Sequence, residues 1–153
     1  LLNSSSFAGT DEPDSTRKYR YFHNFYCILN ITERFQVTCG FDFGFQQTAK
    51  NSSKYDNWHS AVLISRFQFN SKIAAALRAE YYHDPNNIIV SSFYPEQFSV
   101  ISFSSNFDYQ FNENVLWRVE FRSFQSESPI YSRNNIPVND NFSICGSIAV
   151  SIQ

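Results

Sequence analysis

Apolar and polar side chains alternate one by one along much of this chain. Between Phe35 and Phe45, Phe35, Val37, Cys39, Phe41, Phe43 and Phe45 are separated by Gln36, Thr38, Gly40, Asp42 and Gly44. A helix would scatter the first set around its circumference, whereas a strand places all six on one face. The pattern recurs. Ile73, Ala75, Leu77, Ala79 and Tyr81 alternate with Lys72, Ala74, Ala76, Arg78 and Glu80. Ile101, Phe103, Phe107 and Tyr109 alternate with Ser102, Ser104, Asn106 and Asp108. Trp117, Val119 and Phe121 alternate with Arg118, Glu120 and Arg122. Phe142, Ile144, Gly146, Ile148, Val150 and Ile152 alternate with Ser143, Cys145, Ser147, Ala149 and Ser151. Two stretches are less regular. From Trp58 to Phe69, Ala61, Leu63, Phe67 and Phe69 fall on one face, with Arg66 and Gln68 on the other. From Lys18 to Asn30, aromatic residues occupy both faces.

This predicts seven strands of roughly ten residues or slightly more. A tilted strand needs about 9–11 residues to cross a bilayer, and soluble strands more often run to about 5–6. The connections alternate strictly in length. Asn30–Arg34, Asn70–Lys72 and Asn112–Asn114 are short and polar. Gln47–Asn57, His83–Gln97 and Ser126–Asn139 are long and hold four of the five prolines. Outer-membrane barrels have short periplasmic turns and longer extracellular loops. The expected fold is therefore all-β, an antiparallel up-and-down transmembrane β-barrel, with residues 18–153 as strands joined in that manner. On this orientation residues 1–17 form an extracellular loop or the remnant of an upstream strand, and the visible strands form the C-terminal half of a larger barrel. The polar stretch Asn3–Thr16 reads as a mobile loop.

Composition sharpens the picture. Seventeen Phe, nine Tyr and two Trp coexist with a net charge of −2 and a mean hydropathy of −0.36. Abundant aromatics in a chain that is polar on average require the two classes to be interleaved. The slight acidity points to no nucleic-acid partner. No run of about 18 apolar residues exists, so no transmembrane helix is predicted. The expected partners are outer-membrane lipid on the apolar face and small hydrophilic solutes on the other. Tyr21, Trp58, Tyr81, Tyr109, Phe111 and Trp117 fall near strand ends and suit the aromatic girdles of a membrane barrel.

Charge of both signs inside strands is costly against hydrocarbon and tolerable in a wet or internally paired lumen. Asp42, Arg66, Arg78, Glu80, Asp108, Arg118, Glu120 and Arg122 are the candidate pore-lining residues on this reasoning. They could set ion selectivity, or pair into a network that plugs or stiffens the barrel. A soluble β-sandwich or small ligand-binding barrel, with the greasy face inward, shares the same alternation.

Catalytic and metal signals are weak. His23, His59 and His83 show no HxxxH or HExxH spacing, and no GxSxG occurs. Cys27, Cys39 and Cys145 have no metal-ligand spacing and read as small buried or lipid-facing residues. Cys27 and Cys39 could face one another across a hairpin. No Gly-rich phosphate loop is present, so no cofactor, metal or enzymatic activity is expected.

Several segments resemble the Bacteroidetes-type putative β-barrel porin family, the OmpL-like outer-membrane proteins. They are "LRAEYY" at Leu77–Tyr82, "FDYQ" at Phe107–Gln110, "ENVLWRVEFRSFQSESPIY" at Glu113–Tyr131 and "NFSICGSIAVSI" at Asn141–Ile152. The resemblance runs from about Tyr19 to the end. It implies an outer-membrane barrel of roughly a dozen strands with a porin role. One departure is the ending Ser151, Ile152, Gln153, where such barrels usually finish in an aromatic residue.

Overall fold

The structure, a computed structural model, describes residues 1–10, 12–90 and 98–152. Among them lie ten strands: β1 (Leu2–Gly9), β2 (Arg20–Asn30), β3 (Phe35–Gln47), β4 (Tyr55–Gln68), β5 (Ile73–Asp84), β6 (Phe98–Asn112), β7 (Val115–Ser126), β8 (Tyr131–Arg133), β9 (Ile136–Val138) and β10 (Asp140–Val150). Eight of them form one antiparallel sheet in the order β1-β2-β3-β4-β5-β6-β7-β10. β8 and β9 pair separately as a small hairpin between β7 and β10. Each strand of the large sheet neighbours the next one along, which is the up-and-down arrangement the alternation predicts.

The short connections are closed by their own side chains. Thr32 Oγ1 accepts from the backbone N–H of Arg34 at 3.2 Å and Phe35 at 3.0 Å. Asn70 Oδ1 accepts from Lys72 at 2.9 Å and Ile73 at 3.0 Å. Asn112 Oδ1 accepts from Asn114 at 2.9 Å. Such Asn and Thr turns lock hairpin register locally, as their side chains mimic a backbone turn. The β8–β9 turn places Asn134 and Asn135 at φ of 52° and 63°. Two successive positive φ values are what a tight hairpin turn demands, and Asn tolerates them.

Register divides the sheet into two faces. One carries most of the phenylalanines; the other carries the eight candidate charges, together with Phe7, Phe22, Phe98 and Phe124. Exposure is inverted relative to a soluble protein. Leu77, Phe103 and Phe111 are 64%, 56% and 55% exposed, whereas Asp108 and Ser102 on the opposite face are each 4% exposed. Only Trp58, Ala74 and Ala76 are buried hydrophobics among the described residues, and all three sit on the charged face.

Four expectations change. Seven strands become eight in the large sheet, because Asn3–Gly9, expected in a mobile loop, belongs to β1, which pairs with β2 from Leu2↔Cys27 to Gly9↔Arg20. Of its apolar-face positions only Leu2 is large and apolar; Ser4, Ser6 and Ala8 are too small or too polar to signal a strand. The long segment after β7 contains the β8–β9 hairpin. Trp58 does not join an aromatic girdle; it faces Gly44 on the charged side and is 5% exposed. Cys145 is neither buried nor on the apolar face: it pairs with Glu120, so it shares the charged side. Cys27 and Cys39 do oppose one another across β2–β3, as free thiols on the apolar face. Tyr21, Tyr81, Tyr109, Phe111 and Trp117 all lie on the apolar face.

Candidate functional site: the charged face

All eight candidate residues fall on one face, because each strand contributes alternate positions and the ladders align them in rows. Val62, Glu80, Ser102 and Phe124 form one row across β4 to β7. The next row holds Ile64, Arg78, Ser104 and Arg122. Arg66, Ala76, Asn106 and Glu120 follow, and then Asp108 beside Arg118. Asp42 sits two rows above Arg78, opposite Ser60.

Two ionic clusters result. In the first, Glu80 is gripped from both sides. Arg78 Nη2 donates to Glu80 Oε1, and Arg122 Nη2 donates to Glu80 Oε2. Ser102 Oγ adds a 2.8 Å bond to Oε2. In the second, Arg118 holds Asp108 with two parallel bonds, Nε to Oδ1 at 2.6 Å and Nη2 to Oδ2 at 2.7 Å. Asn106 Nδ2 donates to Oδ1 at 3.0 Å. Paired donors in the plane of a carboxylate give this contact its strength and its directionality. The small neighbours Ala74 and Ala76 leave room for the long arginine side chains on this crowded face.

The remaining three candidates are not bound into ion pairs. Asp42 accepts from Asn24 Nδ2 at 2.6 Å and Ser60 Oγ at 2.9 Å, both neutral donors. Arg66 is exposed, and it and Glu120 make no ion pair among the described residues.

Several contributors escaped the sequence reading. Asp84 is fully buried, and its carboxylate accepts the backbone N–H groups of Ile88, Ile89 and Val90 at 2.8, 2.7 and 3.1 Å. This draws the start of the loop after β5 toward the charged face. The Asp84-Pro85-Asn86-Asn87 run is the signal that could have shown it, since an Asp ahead of Pro initiates turns. Tyr131 of β8 packs against Phe124 of β7 with ring centroids 6.2 Å apart, so the loop after β7 also folds over this face. Arg20 lies over the Trp58 ring at 5.8 Å.

His23, His59 and His83 do not gather around a common point. They occupy one row on the apolar face, interrupted by Phe43, with the His59 and His83 rings 5.2 Å apart. No group of three His, Cys, Asp or Glu side chains with metal-binding geometry occurs among the described residues.

The family model described as "Putative beta-barrel porin-2, OmpL-like" matches residues 1–152. No curated protein and no solved structure matches the chain significantly.

Proposed function

The chain belongs to the family described as Putative beta-barrel porin-2, OmpL-like, and on that premise we propose that its sheet walls an outer-membrane pore for passive passage of small hydrophilic solutes. The charged face looks onto the lumen, and the phenylalanine face touches acyl chains. Asp42, Arg66, Arg78, Glu80, Asp108, Arg118, Glu120 and Arg122 line the passage.

The observation that carries this reading is the inverted burial. A sandwich or a soluble ligand-binding barrel hides its large apolar side chains and exposes its charges. Here Leu77, Phe103, Phe107, Phe111 and Phe121 on one face are exposed, while Asp84 and Asp108 on the other are buried. Exposed apolar area on this scale needs a partner, and hydrocarbon is one that matches a band several strands wide. Strands β2 to β7 and β10 run to 11–15 residues, enough to span a bilayer when tilted. β1 and β10 are the edges of the sheet. In a membrane those edges have to find strand partners, since an unpaired backbone group in hydrocarbon costs several kcal/mol.

Planar-bilayer conductance tests the reading. Discrete, ohmic channels are expected, with ion selectivity governed by the charged face. A barrel that folds and inserts yet stays silent would contradict it. That result would favour a plugged barrel with a surface-binding role, which the inward-held Ile88–Val90 segment and the Tyr131–Phe124 contact would then explain.

A further inference from the structure

On the charged face, between the Glu80 cluster, the Ile88–Val90 segment and β8, lies a cavity of about 540 Å³. That is within the range of small-molecule sites, roughly 300–1,000 Å³. Among the described residues its ionised lining groups are Asp42, Glu80, Arg78 and Arg122, and their charges sum to zero. Aromatic rings stand beside them. Tyr82 and Phe98 meet edge-on with centroids 5.8 Å apart, and Phe124 meets Tyr131. Resting on the porin reading, we propose that this cavity is a binding site for a neutral, ring-shaped polyhydroxylated solute, a saccharide.

Three properties select that chemistry. The first is charge. A carboxylate or phosphate entering the cavity would compete with Glu80 for the same two arginines and approach Asp42. A cation would approach Arg78 and Arg122. Like charges a few ångströms apart repel strongly where the surroundings screen them less than bulk water does. A neutral solute meets neither penalty.

The second is the unmet donors. Arg78 and Arg122 both reach Glu80 through Nη2, and their Nε atoms are buried without a hydrogen-bond partner. A buried donor left unsatisfied is destabilising. A solute hydroxyl or ring oxygen can accept from these N–H groups only when the arginine side chains turn to present them to the cavity.

The third is the ring wall. Aromatic faces offer a flat apolar surface to the C–H face of a sugar ring, while the polar groups below take its hydroxyls. A mostly apolar lining with a few fixed polar groups is the usual make-up of a small-molecule site. The loops complete the wall from above. Asp84 fixes Ile89 and Val90, which also line the cavity, and β8 supplies Tyr131. The site therefore sits at the loop end of the proposed pore, where a solute arriving from outside meets it first.

The test uses the full chain folded in detergent micelles, with glucose, maltose and raffinose as neutral probes and succinate and inorganic phosphate as anionic ones. Titration calorimetry reads binding without requiring a channel. Bilayer recording then reads sugar-dependent block of the current. The expected result is saturable binding of at least one sugar, weakened tenfold or more in F124A/Y131A and in R122Q, with no saturable binding of succinate or phosphate. The folded state of each variant is checked by its heat-modifiable migration on a gel. A conducting channel that binds none of the three sugars would overturn the proposal and leave the porin reading standing. Saturable binding of an anion in place of sugar would also overturn it. Sugar binding by a barrel that does not conduct would support the site and contradict passive passage.

Discussion

Gly44 on β3 stands directly opposite Trp58 on β4, and a β-carbon placed on Gly44 would lie 2.1 Å from the Trp58 ring. The indole covers the glycine, and Arg20 of β2 stacks over the indole in turn. Three neighbouring strands are thus tied together on the charged face by one missing side chain. An aromatic covering a cross-strand glycine is a known means of fixing register.

Gly44→Ala is expected to push Trp58 off this surface. Overpacking a tight site costs about 1–3 kcal/mol. In a Trp117→Phe background, where Trp58 is the sole indole, the emission maximum should move to longer wavelength as the ring meets water. The urea midpoint of the micelle-folded barrel should fall as well. An unchanged spectrum and midpoint would mean the indole does not sit on Gly44.

Asp108 and Arg118 offer a second test. The Asp108 side chain is 6% exposed, and that of Arg118 is 45% exposed. Asp108→Asn removes the charge on the enclosed side and leaves Arg118 without its carboxylate. A hydrogen bond to a charged group contributes about 1.5–3 kcal/mol, and a loss in that range is expected in urea unfolding. The double variant D108N/R118Q should recover part of it, since residues in direct contact do not behave additively. Strict additivity of the two single variants would contradict the bidentate pair.

Arg66 differs in kind. It is exposed on the charged face and makes no ion pair among the described residues. In the proposed pore its charge would therefore act on passing ions. Arg66→Glu is expected to shift the reversal potential under a salt gradient toward cation preference with little loss of stability. Reversal of Arg118 should mainly destabilise the barrel. Equal selectivity shifts from both sites would contradict the division between free and paired charges.

The period-2 alternation made most of this fold legible, because face assignment in a strand depends only on the parity of position. Phe35 to Phe45 and Trp117 to Arg122 could be read without any partner strand. β1 could not, since Ser4 and Ser6 occupy positions where other strands carry phenylalanine or leucine. The candidate charges were found for the same reason of parity. Their partnerships were not, because Glu80 and Arg122 are 42 residues apart and only register brings them together. Trp58 was misplaced because an aromatic near a strand end looks alike on either face until Gly44 appears opposite it. The inward course of Ile88–Val90 and of β8 rests on Asp84 and Tyr131, whose contacts are tertiary.

The orientation of the two faces can be tested with the chain's own thiols. Cys39 lies in the middle of β3 on the phenylalanine face, and Cys145 lies within β10 beside Glu120 on the charged face; both are exposed. Single-cysteine variants retaining one or the other, folded into lipid vesicles, are treated with a charged, membrane-impermeant maleimide. Cys145 should react, while Cys39 should react only with a lipid-soluble reagent and its fluorescent adduct should be quenched by nitroxide-labelled acyl chains. Rapid modification of Cys39 by the charged reagent, with Cys145 protected, would show that the phenylalanines do not face lipid.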